Sequence, residues 1–151
     1  MKQLVILRHG EDDMMTRDLS VRGERQMLGL GQRLRGHLRS QNILVFSSPA
    51  QRAQQSAQAI AQALGVQEEV ITATALGDEQ GKSHPDEVVR QFVERNEERA
   101  DVIILVCHLG TASSFGKYFF HVEVVKTPRQ YHVEQGSAMI LDLDHQIIQV
   151  V

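Results

Sequence analysis

One cysteine, Cys107, is all the thiol chemistry available to this chain of 151 residues. A disulfide framework within the chain is therefore excluded, and so is a zinc site of four cysteines. A basic excess is also lacking: 16 lysines and arginines stand against 19 aspartates and glutamates, a formal net charge of -3. That balance argues against a nucleic-acid binder. It leaves an anionic substrate admissible, because a few arginines can dominate one cleft. No apolar run approaches the length of a membrane span. The run after Met1-Lys2-Gln3 is too short for a signal-peptide core, so the cytoplasm is the expected location. There is no glycine-rich loop ending in Lys-Ser or Lys-Thr, as a nucleotide-binding P-loop needs, and no His-Glu-x-x-His metal motif. Repeats, low-complexity stretches and interdomain linkers are missing too. With 42% apolar and 23% charged residues the composition is that of a globular protein, and the length suits one domain, residues 1–151.

What is present is an alternation of strand and helix signals. Leu4-Val5-Ile6-Leu7 is a continuous apolar run ending at Arg8-His9-Gly10, which reads as a strand buried on both faces and then a turn. A helix capped by Ser20 is expected next, with Met27, Leu30, Leu34 and Leu38 on one face. Ile43-Leu44-Val45-Phe46 predicts a second strand. Ser48 is expected to cap the following helix, with Pro49 in its first position and Gly65 at its end. Val70-Ile71 suggests a short strand, and Thr74 to Ser83 a loop. Pro85 opens a third helix with Asp86 and Glu87 in its first turn, where the helix dipole favours negative charge. Val102 to Val106 is the strongest strand signal, followed by Cys107-His108-Leu109-Gly110 and a short helix. Lys117 to Glu134 has no clear pattern; Ala138 to Leu143 and Ile147 to Val151 read as two final strands. The expected fold is a three-layer α/β/α sandwich around a mostly parallel sheet, with antiparallel pairing near the C-terminus.

In open α/β sheets ligands bind beyond the carboxyl ends of the strands. The first strand delivers Arg8 and His9 there, the second Ser47 and Ser48 with Arg52 about one turn later, and the Val102–Val106 strand delivers His108. Two histidines and two arginines at one sheet edge suit phosphoryl transfer. Guanidinium forks hold the charged oxygens, and a neutral imidazole can attack phosphorus. A helix start at Ser48-Pro49 would add free N–H groups for an anion.

These motifs resemble the histidine phosphatase superfamily. Leu4 to Glu11 is similar to its opening strand and Arg-His-Gly signature. Leu19-Ser20-Val21-Arg22-Gly23 resembles the start of its first helix, Ser47 to Ala57 its second motif, and Val106 to Gly110 its second-histidine motif. The order also matches, over most of the chain up to residue 110. The resemblance implies that His9 is the nucleophile and becomes phosphohistidine, that Arg8 and Arg52 bind the phosphoryl oxygens, and that His108 adds a donor. It places an acidic proton donor after Leu76, where Asp78 has the expected spacing and Glu79 is its neighbour. Ser47 is a further candidate phosphate contact. Many superfamily members are larger, with insertions over the site. The short chain and the Gly136-Ser137-Ala138 segment resemble the SixA-type phosphohistidine phosphatases. The implied substrate is then a phosphorylated protein, a histidine-phosphotransfer domain or phosphocarrier, with a small phosphomonoester as the alternative. No metal or cofactor is implied.

A strand-end histidine commonly just closes a turn, a helix arginine is commonly solvated, and acidic loop residues are commonly plain surface. Cys107 lacks the spacing of a cysteine phosphatase and reads as a small buried residue. His37, His121, His132 and His145 read as surface or packing residues, and His84, before Pro85, as the neighbour of a helix cap in a loop near the candidate acids. A metal held by His9, His108, Asp12 and Asp13 would be opposed by both arginines. A non-catalytic phosphate-binding protein with the same pocket is the competing class.

Overall fold

The computed structural model describes residues 1–119 and 133–151. Along them run β1 (Gln3–Arg8), α1 (Val21–Leu34), β2 (Ile43–Ser47), α2 (Gln51–Leu64), β3 (Ile71–Thr72), α3 (Asp86–Asn96), β4 (Val102–Cys107), α4 (Leu109–Phe119), β5 (Ala138–Asp142) and β6 (Ile147–Val150). A 3-10 turn, Thr74–Leu76, follows β3. The stretch without a clear pattern lies mostly outside the described residues, as do His121 and His132.

The six strands form one sheet in the order β3-β2-β4-β1-β5-β6. β1, β2, β3 and β4 are mutually parallel; β5 runs antiparallel to β1, and β6 antiparallel to β5. The expected mixed sheet is thus the observed one. Alternate strand residues serve opposite faces. Val5, Leu7, Val45, Ile104 and Val106 pack with Met27, Leu30, Ala57 and Ile60 of α1 and α2. Leu4, Ile6, Phe46, Ile103 and Leu105 pack with Val89, Val93, Ala112 and Phe115 of α3 and α4. Both faces of the central strands are covered, which is why their sequences are continuously apolar rather than alternating. Each fully buried aliphatic side chain contributes about 1.5–3 kcal/mol, and Leu4 to Leu7 are all fully buried.

Helix starts and stops follow local chemistry, with two departures from expectation. Ser20 caps α1 as expected, its Oγ accepting the Gly23 N–H at 3.0 Å. Leu38 is not on that helix, which ends at Leu34. The side-chain amide of Gln3 accounts for this. It donates to His37 O at 3.0 Å and accepts from Arg39 N–H at 2.9 Å, drawing the chain off the helix path toward β2. Leu38 still packs against the core, from the turn. The second departure is at α2. The cap position is Ala50, without a side-chain cap bond, and Pro49 precedes the helix. Ser48 stands two residues before the cap position, and its hydroxyl bonds to His108 instead. Gly65 ends α2 in the left-handed conformation, φ 75°. Within α1, Gly31 lets the helices close up: a β-carbon there would collide with Ala63 of α2. Among the described residues no helix is long and apolar enough to cross a membrane.

Candidate active site

β2, β4 and β1 lie side by side with level carboxyl ends: Arg8 is in register with Cys107, and Ser47 with Val106. The next residue along each strand therefore leaves the sheet at the same edge. The exits are pinned by backbone bonds, His9 N–H to Cys107 O and Ser48 N–H to Val106 O, each 3.0 Å. His9, Ser48 and His108 are all buried there. Arg52 joins them from the first turn of α2 and is itself 95% shielded, its residual exposure being 5%.

His9 has a defined tautomer. Its Nδ1 lies 2.7 Å from the Gly10 carbonyl, an acceptor only, so Nδ1 carries the proton. Nε2 then holds the lone pair, and Arg52 Nε–H donates to it at 3.1 Å. The rings of His9 and His108 meet edge to face, with centroids 5.3 Å apart. His108 Nε2 shares a 2.8 Å hydrogen bond with Ser48 Oγ. Its Nδ1 is buried with no partner. If the serine donates, the ring proton lies on that Nδ1 as an unused donor. Arg8 presents a second buried and unused donor, its Nε–H.

Both imidazoles are held neutral. Burial is the main cause, pushing His9 down to about 4, with the Arg52 cation adding to the effect and the Gly10 carbonyl opposing it. Burial likewise pushes His108 down to about 4, helped by His9 and Arg52. Desolvation disfavours the charged ring, and neighbouring cations add to that.

The loop after β1 reaches the same arginine. Asp12 Oδ2 is 3.8 Å from Arg52 Nε and 3.4 Å from Arg17 Nε. Ser56, one turn beyond Arg52, accepts the Gly10 N–H at 3.0 Å and donates to Arg52 O at 2.6 Å, joining the loop after β1 to α2. On the opposite side Arg52 Nη2 donates to Gln80 O at 3.1 Å. Gly81, at φ 89°, lies flat against Arg52 and His108, and a β-carbon there would strike both.

Arg8, His9, Arg52 and His108 come together at the sheet edge, where topology predicted them, and Asp78, which only the family resemblance suggested, is on the adjoining loop. Asp78 is near enough for its charge to act on His108. Its carboxylate accepts the Lys82 N–H at 2.8 Å, and this bond is the main cause holding it below the ordinary carboxylate range. Glu79 is exposed. Ser47 does not join the group: it is fully buried, and its hydroxyl donates to Ser48 O at 2.9 Å. Cys107 is buried, with its thiol pushed up to about 12 by desolvation, so it supplies no thiolate. His145 has partners the sequence did not suggest, Asp142 and Arg39, far along the chain from the site residues. Among the described residues no three histidine, cysteine, aspartate or glutamate side chains group to hold a metal ion.

Three contacts escaped the sequence reading. Ser56 was discoverable, since it sits four residues after Arg52 on the same helix. Ser48 has the local features of a helix cap, which hide its bond to His108. The Gln80 contact uses a backbone carbonyl, which has no sequence signature.

Residues 4–80 match the family profile of the histidine phosphatase superfamily, branch 1. No curated protein matches the chain in sequence. Solved structures match it closely in fold. The protein histidine phosphatase SixA complexed with tungstate superposes with a TM-score of 0.72 at 16% identity, covering 99% of this chain and 94% of that one. A mycobacterial glucosyl-3-phosphoglycerate phosphatase gives 0.68 at 18% identity, covering 100% and 98%. The alpha-ribazole phosphatase of Shigella flexneri gives 0.69 at 19%, covering 99% and 94%.

Proposed function

The chain belongs to the histidine phosphatase superfamily, branch 1, and from that premise we propose that it removes phosphate from phosphohistidine on a protein, through a covalent intermediate on His9. Phosphatase chemistry is what its superfamily membership supports; the substrate and the residue roles are our reading. One observation carries it: the His9 ring is neutral, protonated on Nδ1, and offers its Nε2 lone pair beside the Arg52 guanidinium.

In the first step Nε2 attacks phosphorus and the bond from phosphorus to the leaving group breaks. Arg52 Nε–H gives up its bond to Nε2 and turns to the phosphoryl oxygens, where Arg8 and the Nδ1 edge of His108 add donors. These groups stabilise charge spread over three oxygens without moving far, which is the main source of catalysis in phosphoryl transfer. In the second step water attacks the phosphohistidine, freeing inorganic phosphate and neutral His9.

The state of Asp78 bears on the substrate. A carboxyl held below its ordinary range is ionised at neutral pH and poorly placed to donate a proton. An alkoxide leaving group needs that proton. A phosphohistidine protonated on its second ring nitrogen leaves as neutral imidazole and does not. Ionised Asp78 then suits the second step, as the base that activates water. The substrate class is a histidine-phosphotransfer domain or phosphocarrier, and the proposed setting is the cytoplasm.

A second reading, hydrolysis of small phosphomonoesters, is favoured by the shared fold with the glucosyl-3-phosphoglycerate and alpha-ribazole phosphatases. The deciding experiment is hydrolysis of a phosphohistidine-bearing protein, with EDTA present, by wild type and by His9→Ala. Turnover that disappears in the variant is the expected result. Wild type that acts only on small esters moves the assignment to the second reading. Phosphorylation of His9 without release of phosphate would make the protein a phosphate-binding relative instead.

A further inference from the structure

The neutral His108 ring has one proton to place between two buried nitrogens. Nε2 is paired with Ser48 Oγ at 2.8 Å, and Nδ1 has no partner. We propose that Ser48 is a positioning residue: its hydroxyl donates to Nε2, fixes the ring proton on Nδ1, and so aims His108 as a donor at a phosphoryl oxygen held beside Gly81. This role rests on the reading above in which His108 binds the phosphoryl group.

The direction of the serine bond follows from the buried groups on either side of it. Ser48 is fully buried, and among the described residues its hydroxyl bonds only to His108. Were Nε2 the protonated nitrogen, it would donate to Oγ. The hydroxyl proton would then lack an acceptor, and the bare Nδ1 would lack a donor. Two buried groups would go unpaired, each at the cost of its desolvation. With the serine donating, only the Nδ1 N–H is left over. The nitrogen that carries the proton is set by the bond the other nitrogen makes.

The backbone holds the hydroxyl in place. Ser48 N–H donates to Val106 O at 3.0 Å, and Ser48 O accepts the Ser47 hydroxyl at 2.9 Å. Val106 stands two residues before His108, so serine and imidazole leave β2 and β4 from a common anchor.

The remaining donor has a place to act. A β-carbon on Gly81 would lie 2.9 Å from His108 Nδ1 and Cε1 and would collide with Arg52 Nη2. Glycine leaves that space free, bordered by the imidazole edge and the guanidinium. Arg52 Nη2 gives one hydrogen to Gln80 O and keeps a second. An anionic oxygen seated there accepts from both side chains and satisfies the orphaned Nδ1 N–H. The opposite tautomer would turn a lone pair toward the same oxygen and repel it.

The test reads the ring proton directly. Nitrogen-15 spectra of the imidazoles are recorded for wild type, Ser48→Ala and Ser48→Thr, with melting curves to check folding. Wild-type His108 is expected to be protonated on Nδ1, and in Ser48→Ala the Nε2 tautomer appears. On phosphoramidate, or on a small ester if wild type prefers one, kcat of Ser48→Ala falls about 10–100-fold with little change in KM. Orthovanadate, which mimics the transferring phosphoryl group, binds about tenfold more weakly. Ser48→Thr keeps the hydroxyl and restores tautomer and rate. If its added methyl group unfolds the chain, the tautomers of wild type and Ser48→Ala decide. Wild-type His108 protonated on Nε2 overturns the proposal. So does Ser48→Ala that loses activity with its tautomer unchanged, since that is a packing effect. So does a changed tautomer with kcat and vanadate affinity intact. Wild type that turns over neither substrate overturns the hydrolase reading instead; tautomer and vanadate affinity, measured without turnover, still decide the role of Ser48.

Discussion

Arg52 Nε–H donates to His9 Nε2 at 3.1 Å. The proposed nucleophile and the proposed phosphoryl clamp thus share one nitrogen, and its lone pair points toward the guanidinium. Attack on phosphorus requires this bond to break, so the arginine must exchange an imidazole acceptor for phosphoryl oxygens. Phosphoryl oxygens, being anionic, are the stronger acceptors.

Replacing that arginine separates its charge from its geometry. Arg52→Lys keeps a cation but loses the fork and the Nε donor, and kcat is expected to fall by about 10²–10³-fold. Arg52→Ala also removes one of the influences lowering the His9 pKa. The acid limb of its pH–rate profile should therefore move upward relative to the lysine variant. Coincident limbs in the two variants would remove the electrostatic part of the argument.

Wild-type activity should survive well into acid. The proposed attack needs a neutral His9, and its pKa is pushed down to about 4 from the ordinary 6.5. The expected kcat/KM profile on a phosphomonoester is flat from neutral pH to about 5 and falls below that. A midpoint near 6.5 would mean that another histidine state governs the rate. Stability carries the opposite face of the same shift. The unfolded chain takes up protons on both rings near 6.5, before the folded chain does. The folded state is therefore favoured fully above 6.5 and loses that advantage as pH falls toward 4. Melting temperatures at pH 7.5 and 4.5 should show the loss, and His108→Gln should shrink it.

Asp78→Asn separates the two substrate classes. If the small-ester reading holds, Asp78 must carry a proton when an alkoxide leaves, and its replacement then costs about 10²-fold or more on an alkyl phosphomonoester. With a phosphohistidine protein the imidazole departs unaided, so the loss is confined to water activation and is smaller. Burst kinetics would locate it: the variant should keep the phosphorylation burst on the phosphoprotein and slow the steady state.

Ser56→Ala tests the tie between the loop after His9 and α2. The hydroxyl accepts from Gly10 N–H, and that bond is buried. Its removal leaves a buried donor unpaired, which costs about 1–3 kcal/mol. Urea denaturation should show a lowered midpoint at unchanged slope. Because Gly10 adjoins His9, kcat should drop more than KM changes, and Ser56→Thr, which keeps the hydroxyl, should recover both.

Much of this was legible along the chain. Leu4–Leu7, Ile43–Phe46 and Val102–Val106 are continuous apolar runs because their strands are buried on both faces. A residue following such a run in a parallel sheet must emerge at the carboxyl edge. Arg8, His9 and His108 could thus be assigned to one place before any distance was known, and Ser20 and Gly65 marked helix ends through interactions within a few residues. What only the tertiary structure decided were partners distant in sequence. Ser48 has the local features of a cap, yet its hydroxyl bonds to His108, 60 residues away. Ser47 and Ser48 are chemically alike, and only the strand's exit direction gives one of them the imidazole and the other a backbone carbonyl. Asp78 could be placed by spacing, but its ionisation follows from the Lys82 N–H, a backbone group that every non-proline residue carries. The strand order β3-β2-β4-β1-β5-β6 is likewise a choice among pairings of similar apolar runs. Periodicity and capping act over a few residues, so the sequence determines them by itself; hydrogen-bond partners and burial depend on which surfaces meet, and only the folded chain decides that.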